Sequence, residues 1–72
     1  MADLGELNGQ LRQVTDELIE LEKTGIREYR ALGKESRGYY HGLFKVLLDG
    51  MIIDSEKHVQ LLEFLKKSLE RA

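Results

Sequence analysis

Apolar residues spaced alternately three and four positions apart run through both halves of the chain, and this spacing constrains the fold more than any other feature. In the first half, the stripe comprises Leu4, Leu7, Leu11, Val14, Leu18, Leu21, Gly25 and Leu32. In the second half, it comprises Phe44, Leu47, Met51, Asp54, His58, Leu61 and Leu65, and it is widened by Leu48, Ile52, Val59, Leu62 and Leu69. Side chains at this spacing share one face of an α-helix. The pattern predicts two long helices packed along their length.

The ends of these helices are marked by local signals. Asp3, followed three residues later by Glu6, resembles a capping box at the start of the first helix. A glycine-rich stretch midway, around Gly38, interrupts the apolar pattern and marks one turn. No segment shows the sustained alternation of a strand. The sequence therefore predicts an all-α chain, an antiparallel two-helix hairpin in a single domain over residues 1–72. Helix 1 covers about 3–34, the turn about 35–41 and helix 2 about 42–70.

The apolar stripes are too wide for two helices to bury against each other. The chain has 72 residues and no cysteine, so neither a large core nor disulfides stabilise it. The simplest remedy is a second copy, which gives a four-helix bundle across a two-fold axis. We therefore expect a homo-oligomer, a dimer or larger. A longer coiled coil, or a hairpin that docks on another protein, remains the alternative.

Composition excludes several classes of function. The absence of cysteine excludes zinc fingers, iron–sulfur clusters and thiol catalysis. Eleven basic residues are interleaved with 13 acidic ones, which argues against a nucleic-acid partner. The most apolar stretch, residues 42–53, contains Lys45 and Asp49 and is too short for a membrane span. The first residues lack the features of a signal peptide, so we expect a soluble, cytoplasmic protein.

Three polar residues in or beside the stripes are candidates for a metal site. Asp54 and His58 are four residues apart and share a helix face, and burying them costs free energy unless they are paired or bound to metal. If the turn centres near Gly38, Glu22 lies level with Asp54, and His58 lies one turn away. Carboxylate and imidazole ligands on bundle helices suit iron, manganese or zinc. We therefore predict that Glu22, Asp54 and His58 bind metal, whereas Glu28 lies nearer the turn.

Structural roles for the same residues remain open. Asp54 and His58 have the spacing of a helical pair, with the histidine satisfied inside a core. Glu22 has Lys23 and Arg27 nearby and suits a solvated helix face. In that case the wide apolar face serves oligomerisation or partner docking, without metal.

Two segments resemble known metal-binding helices. The segment from Glu22 to Tyr29, Glu-Lys-Thr-Gly-Ile-Arg-Glu-Tyr, resembles the first ligand helix of rubrerythrin-type ferritin-like proteins. There a metal-binding glutamate precedes a tyrosine by seven residues. The segment 52–62 is similar to their second helix, in which a Glu-x-x-His pair precedes a hydrophobic run. The resemblance extends over about residues 18–65.

This resemblance implies a ferritin-like four-helix bundle with a di-iron centre, used in oxygen or peroxide chemistry, iron oxidation or iron storage. Glu22 corresponds to the first-helix ligand and His58 to the second-helix histidine. The chain departs from the pattern at Ser55, where the family has glutamate, and the nearest carboxylate on that face is Asp54. It also contains one helix pair instead of two, like half-size relatives that assemble the bundle from separate chains. Iron is therefore the expected metal, with manganese or zinc as alternatives. The alternative function is a non-catalytic oligomerisation or adaptor protein of this fold without metal.

Overall fold

The chain forms two long antiparallel helices. A computed structural model describes residues 3–36 and 41–71, and within these ranges it contains α1 (Leu4–Glu35), α2 (His41–Arg71) and no strand. The two helices pack side by side into a rod of 58 × 15 × 15 Å. The predicted helical hairpin is confirmed, and each helix end lies within one residue of its predicted position. The middle of the predicted turn, residues 37–40, lies outside the described residues.

Side-chain caps explain where α1 begins and ends. At its start, the Asp3 carboxylate accepts a hydrogen bond from the Gly5 amide at 2.9 Å, which satisfies one of the unpaired N–H groups of the first turn. At its end, the Ser36 amide donates to the carbonyl of Leu32 at 2.9 Å. The Ser36 hydroxyl donates to the carbonyl of Gly33 and lies 2.8 Å from Nδ1 of His41. This last contact joins the end of α1 to the start of α2.

The seam between the helices uses different residues from the predicted stripe. Its buried members are Thr15, Ile19, Ile26, Leu48, Ile52 and Ser55. Half-buried residues extend the rows of these buried residues along each helix, and members of one row recur every seven positions. They are Asn8, Glu22, Tyr29, Gly33, Val59, Leu62, Lys66 and Leu69. On α2, the seam therefore takes the residues that were expected merely to widen the stripe.

The leucine stripe itself is exposed in the hairpin. The apolar side chains of the α1 stripe expose 42–83% of their area, and those of the α2 stripe expose 39–67%. Within one chain, the stripes that were expected to be too wide for two helices to bury against each other remain exposed. The physical reason is that an antiparallel partner covers only one side of a wide apolar arc. Ile19 and Ile26 fix which side that is, because they are buried against α2.

Most of the exposed apolar residues of both helices lie on one side of the hairpin. At 100° per residue, the stripes of α1 and α2 fall on the same side of the seam, and Leu18 and Leu61 line one depression there. We call this surface the apolar face. It comprises Leu7, Leu11, Val14, Leu18, Leu21, Leu32, Phe44, Leu47, Met51, Leu61 and Leu65. Four further apolar residues of α2 are exposed away from this face, namely Leu43, Val46, Ile53 and Phe64.

The opposite side, which we call the charged face, carries ion pairs between the helices. Three pairs connect α1 to α2 there, Arg12–Glu70 at 3.9 Å, Arg30–Glu56 at 3.5 Å and Asp16–Lys66 at 2.8 Å. Exposed pairs of this kind contribute little stability individually. They do show that the hairpin has two chemically distinct long sides. In the described part of the chain, no helix combines the length and the apolar character needed to cross a membrane.

Candidate metal centre

Glu22 and His58 meet across the hairpin. Oε1 of Glu22 on α1 lies 3.2 Å from Nδ1 of His58 on α2. The Glu22 side chain is 30% exposed and the His58 side chain 57%, so both reach the surface. They border the apolar face near the middle of the rod. The predicted meeting of this carboxylate and this imidazole is therefore present within one chain.

The register of the hairpin explains why His58, and not Asp54, lies level with Glu22. The sequence pattern predicts that the turn centres near Gly38, which sets Glu22 opposite Asp54. The Glu22–His58 contact is instead symmetric about residue 40. A shift of two residues in the centre of the turn moves the facing residue by four, or about one helical turn.

Asp54 does not join this pair within the single chain. It is exposed and lies one turn before His58 on the same side of α2. Among the described residues, no three histidine, cysteine, aspartate or glutamate side chains are close enough together to hold a metal ion. One hairpin therefore offers two adjacent donors and a third carboxylate one turn away.

The surroundings of the pair are apolar and open. Glu22 and His58 line a depression of about 270 Å³ together with Leu18, Leu61 and Leu62. Gly25 leaves further space one turn along α1, because a Cβ atom added there meets only the Tyr29 ring, at 3.8 Å. We use the name polar belt for Glu22, Gly25, Glu28, Asp54 and His58, which interrupt the apolar face at this level.

The geometry of Glu22 and His58 suits two chemical states. Without metal, the carboxylate accepts a hydrogen bond from the protonated Nδ1, which leaves Nε2 of His58 free as an acceptor. With metal, Oε1 and Nδ1 are already at the separation of neighbouring ligands, because two donors about 2.1 Å from one ion lie roughly 3 Å apart. The donor set therefore fits a divalent ion when the neutral imidazole carries its proton on Nε2 instead of Nδ1.

Ser55 occupies the position at which the resembling family has its second-helix glutamate. Its side chain is buried in the seam, and a hydroxyl is a poor ligand for iron compared with a carboxylate. A serine at this position supplies no carboxylate to bridge two metals. Asp54 lies on the adjacent side of α2 and is the nearest substitute.

Comparisons with known proteins give no match. No family model, no curated protein and no solved structure matches this chain.

Proposed function

We propose that this protein is a ferritin-like metal-binding module. In this proposal Glu22 and His58, together with Asp54 and the same residues of another copy, bind iron or another divalent metal inside an inter-subunit four-helix bundle. The observation that carries it is the 3.2 Å contact between Oε1 of Glu22 and Nδ1 of His58. One carboxylate and one imidazole from different helices supply the oxygen and nitrogen donors that such metals take.

The apolar surroundings favour a metal over a simple ion pair. An exposed Glu–His pair gains little on a surface open to water. Leucines flank Glu22 and His58 on both sides, so covering this surface removes water from the two polar groups. Burial then costs free energy that a bound cation offsets. Iron oxidation, iron storage and oxygen or peroxide chemistry are the activities that the resemblance implies.

The test is elemental analysis after anaerobic loading with Fe²⁺ and removal of the excess. Metal is measured across a size-exclusion peak whose mass is determined by light scattering. We expect near-stoichiometric iron in the wild-type protein. The chain has two histidines, which gives a matched pair of variants. His58→Ala should lose the iron, whereas His41→Ala should retain it, because His41 contacts Ser36 at the end of the rod.

Two results would contradict the proposal. One is an assembled wild-type protein that retains no iron, manganese or zinc. The other is equal loss of metal in His41→Ala and His58→Ala, since that pattern indicates adventitious binding. Either result would favour the second candidate, a bundle-forming oligomerisation or adaptor protein without metal. The extension of the apolar face to Leu7 and Leu11, about 15 residues before Glu22, is the observation that supports this second candidate.

A further inference from the structure

The hairpin exposes more surface than a folded chain of its mass normally does. Its accessible area is 5940 Å² for 8.3 kDa. The size scaling of compact monomers gives about 4,600 Å² at this mass. The excess, roughly 1,300 Å², is larger than the ~800 Å² that each partner buries in a standard stable interface. The chain therefore has enough surplus surface for one full interface.

The surplus has the character of an interface mainly on one side. The eleven large hydrophobic residues of the apolar face are all exposed, while the opposite side carries the three interhelical ion pairs. A side 58 Å long and 15 Å wide has an area on the order of 900 Å². Apolar patches on monomeric proteins rarely exceed a few hundred Å². The apolar face is thus both chemically suited and large enough for a stable contact.

The order of residues along the apolar face identifies the occupant. Phe44 and Leu47 lie on the turn side of the polar belt, and Leu18 and Leu65 lie on its far side. The belt itself lies close to the middle of the rod. A partner must therefore present apolar surface at both ends and polar groups in between. A second copy of the same face meets this condition when a two-fold axis superposes one belt on the other.

We infer that a second copy of this chain covers the apolar face, with belt against belt, and that the hairpin is fully folded only in this dimer. The inference rests on the proposed function in one respect: the partner's Glu22, Asp54 and His58 complete the metal site. The apolar contact itself needs no metal.

The small number of buried side chains in the seam supports the second part of this inference, that the hairpin is fully folded only in the dimer. Among the described residues, four hydrophobic side chains are buried between the helices, Ile19, Ile26, Leu48 and Ile52, and none is fully buried. The remaining seam positions include polar residues such as Asn8, Thr15 and Lys66. Most of the leucines lie on the apolar face instead. A two-helix unit with so small a core gains most of its stability from its partner.

The experiment uses the full chain in buffer containing EDTA, so that metal plays no part. Sedimentation equilibrium and far-ultraviolet circular dichroism are recorded across a hundredfold range of protein concentration. We expect a monomer–dimer equilibrium whose dimer is highly helical, with helicity lost on dilution. A chain that stays monomeric and fully helical throughout would overturn the inference and assign the apolar face to a different protein.

A matched pair of variants tests which surface is used. Leu61 and Phe64 are three residues apart on α2 and are 67% and 72% exposed in the hairpin. Leu61 lies on the apolar face, whereas Phe64 points away from both α1 and that face. Lysine at either position costs a single hairpin about the same. Leu61→Lys should weaken the dimer at least tenfold, and Phe64→Lys should leave its dissociation constant within threefold.

The variants remain informative if Leu61→Lys unfolds on dilution, because Leu18→Lys probes the same face from α1 and should behave alike. Equal weakening by Leu61→Lys and Phe64→Lys, or weakening by Phe64→Lys alone, would overturn the assignment of the face. The two proposals fail separately. A dimer in EDTA that later binds no iron removes the metal site and keeps the interface, and a monomer that binds iron does the reverse.

Discussion

At the scale of single residues, the ion pair between Asp16 and Lys66 gives the hairpin a defined dependence on alkaline pH. The hydrogen bond and the charge of Asp16, 2.8 Å from Nζ, hold the pKa of Lys66 above its ordinary value of 10.5. A group whose pKa is raised by folding stabilises the folded state fully below its unfolded pKa. Its contribution is lost as pH rises from about 10.5 through the raised pKa of the folded protein.

We therefore predict that the melting temperature of Asp16→Asn is lower than that of wild type by a constant amount between pH 7 and 10. The difference should shrink above about pH 10.5, where the unfolded chain releases the Lys66 proton first. Thermal unfolding at several pH values measures it. Asp49→Asn serves as control, because Asp49 belongs to none of the ion pairs described here. A gap between Asp16→Asn and wild type that persists unchanged to pH 12 would refute the role of Lys66.

The candidate site shows what residue spacing reveals and what it does not. Counting from the turn brought Glu22, Asp54 and His58 to within about one helical turn of one level, because antiparallel helices place equidistant residues side by side. The same count placed Asp54 beside Glu22, and the structure places it one turn away. The glycines and tyrosines between the two helical patterns show no periodicity, so the sequence does not give the exact centre of the turn. An error of two residues there decides which side chain faces Glu22.

At the scale of the helices, periodicity located both elements to within one residue but did not identify which side of each helix forms the seam. Spacing of three and four marks every apolar residue on the arc without saying which part a partner helix covers. Thr15 and Ser55 are buried in the seam. Because their side chains are polar, the pattern of apolar residues does not include these seam positions. Thr15 satisfies its hydroxyl locally by donating to the carbonyl of Leu11 at 2.7 Å, so its burial needs no interhelical partner.

Substitutions at two glycines of α1 test whether a second chain packs against the polar belt. An alanine Cβ at Gly9 meets nothing within 4 Å, and at Gly25 it meets only the Tyr29 ring at 3.8 Å. In an isolated hairpin, either glycine-to-alanine change should stabilise α1 by about 0.5–1 kcal/mol through helix propensity. Gly25 lies in the polar belt, where a second copy packs closely in the inferred dimer. We therefore predict that Gly9→Ala raises the free energy of unfolding and Gly25→Ala does not.

Urea unfolding of both variants at one fixed protein concentration provides the measurement for this glycine pair. The concentration must be held constant because a dimer's apparent stability depends on it. Equal gains for Gly9→Ala and Gly25→Ala would show that nothing approaches Gly25 closely. That result would count against belt-to-belt packing while leaving the proposed metal ligands untouched.

At the scale of the whole molecule, metal binding and assembly act on one folding equilibrium. A long rod with a small seam and a large apolar face has little stability alone, so ligands that bind the assembled state shift unfolding by mass action. The polar belt strengthens the coupling between metal binding and assembly. In the inferred dimer without metal, two carboxylates and an imidazole from each chain are buried at a cost. In the proposed metal-bound state, these groups are ligands.

We predict that Fe²⁺ or Mn²⁺ raises the melting temperature of the wild-type protein. Each tenfold increase in free metal above its dissociation constant should add about 1.4 kcal/mol, which is about 6–11 °C for a domain of this size. His41→Ala should respond like wild type, and His58→Ala should not respond. Melting curves are recorded anaerobically over a grid of metal and protein concentrations. Assembly and metal binding contribute separately to the dependence of the melting temperature on concentration. A melting temperature that rises with protein concentration but not with metal concentration identifies a bundle without a metal centre. If the melting temperature rises equally with metal concentration in His41→Ala and His58→Ala, the ion lies away from Glu22 and His58.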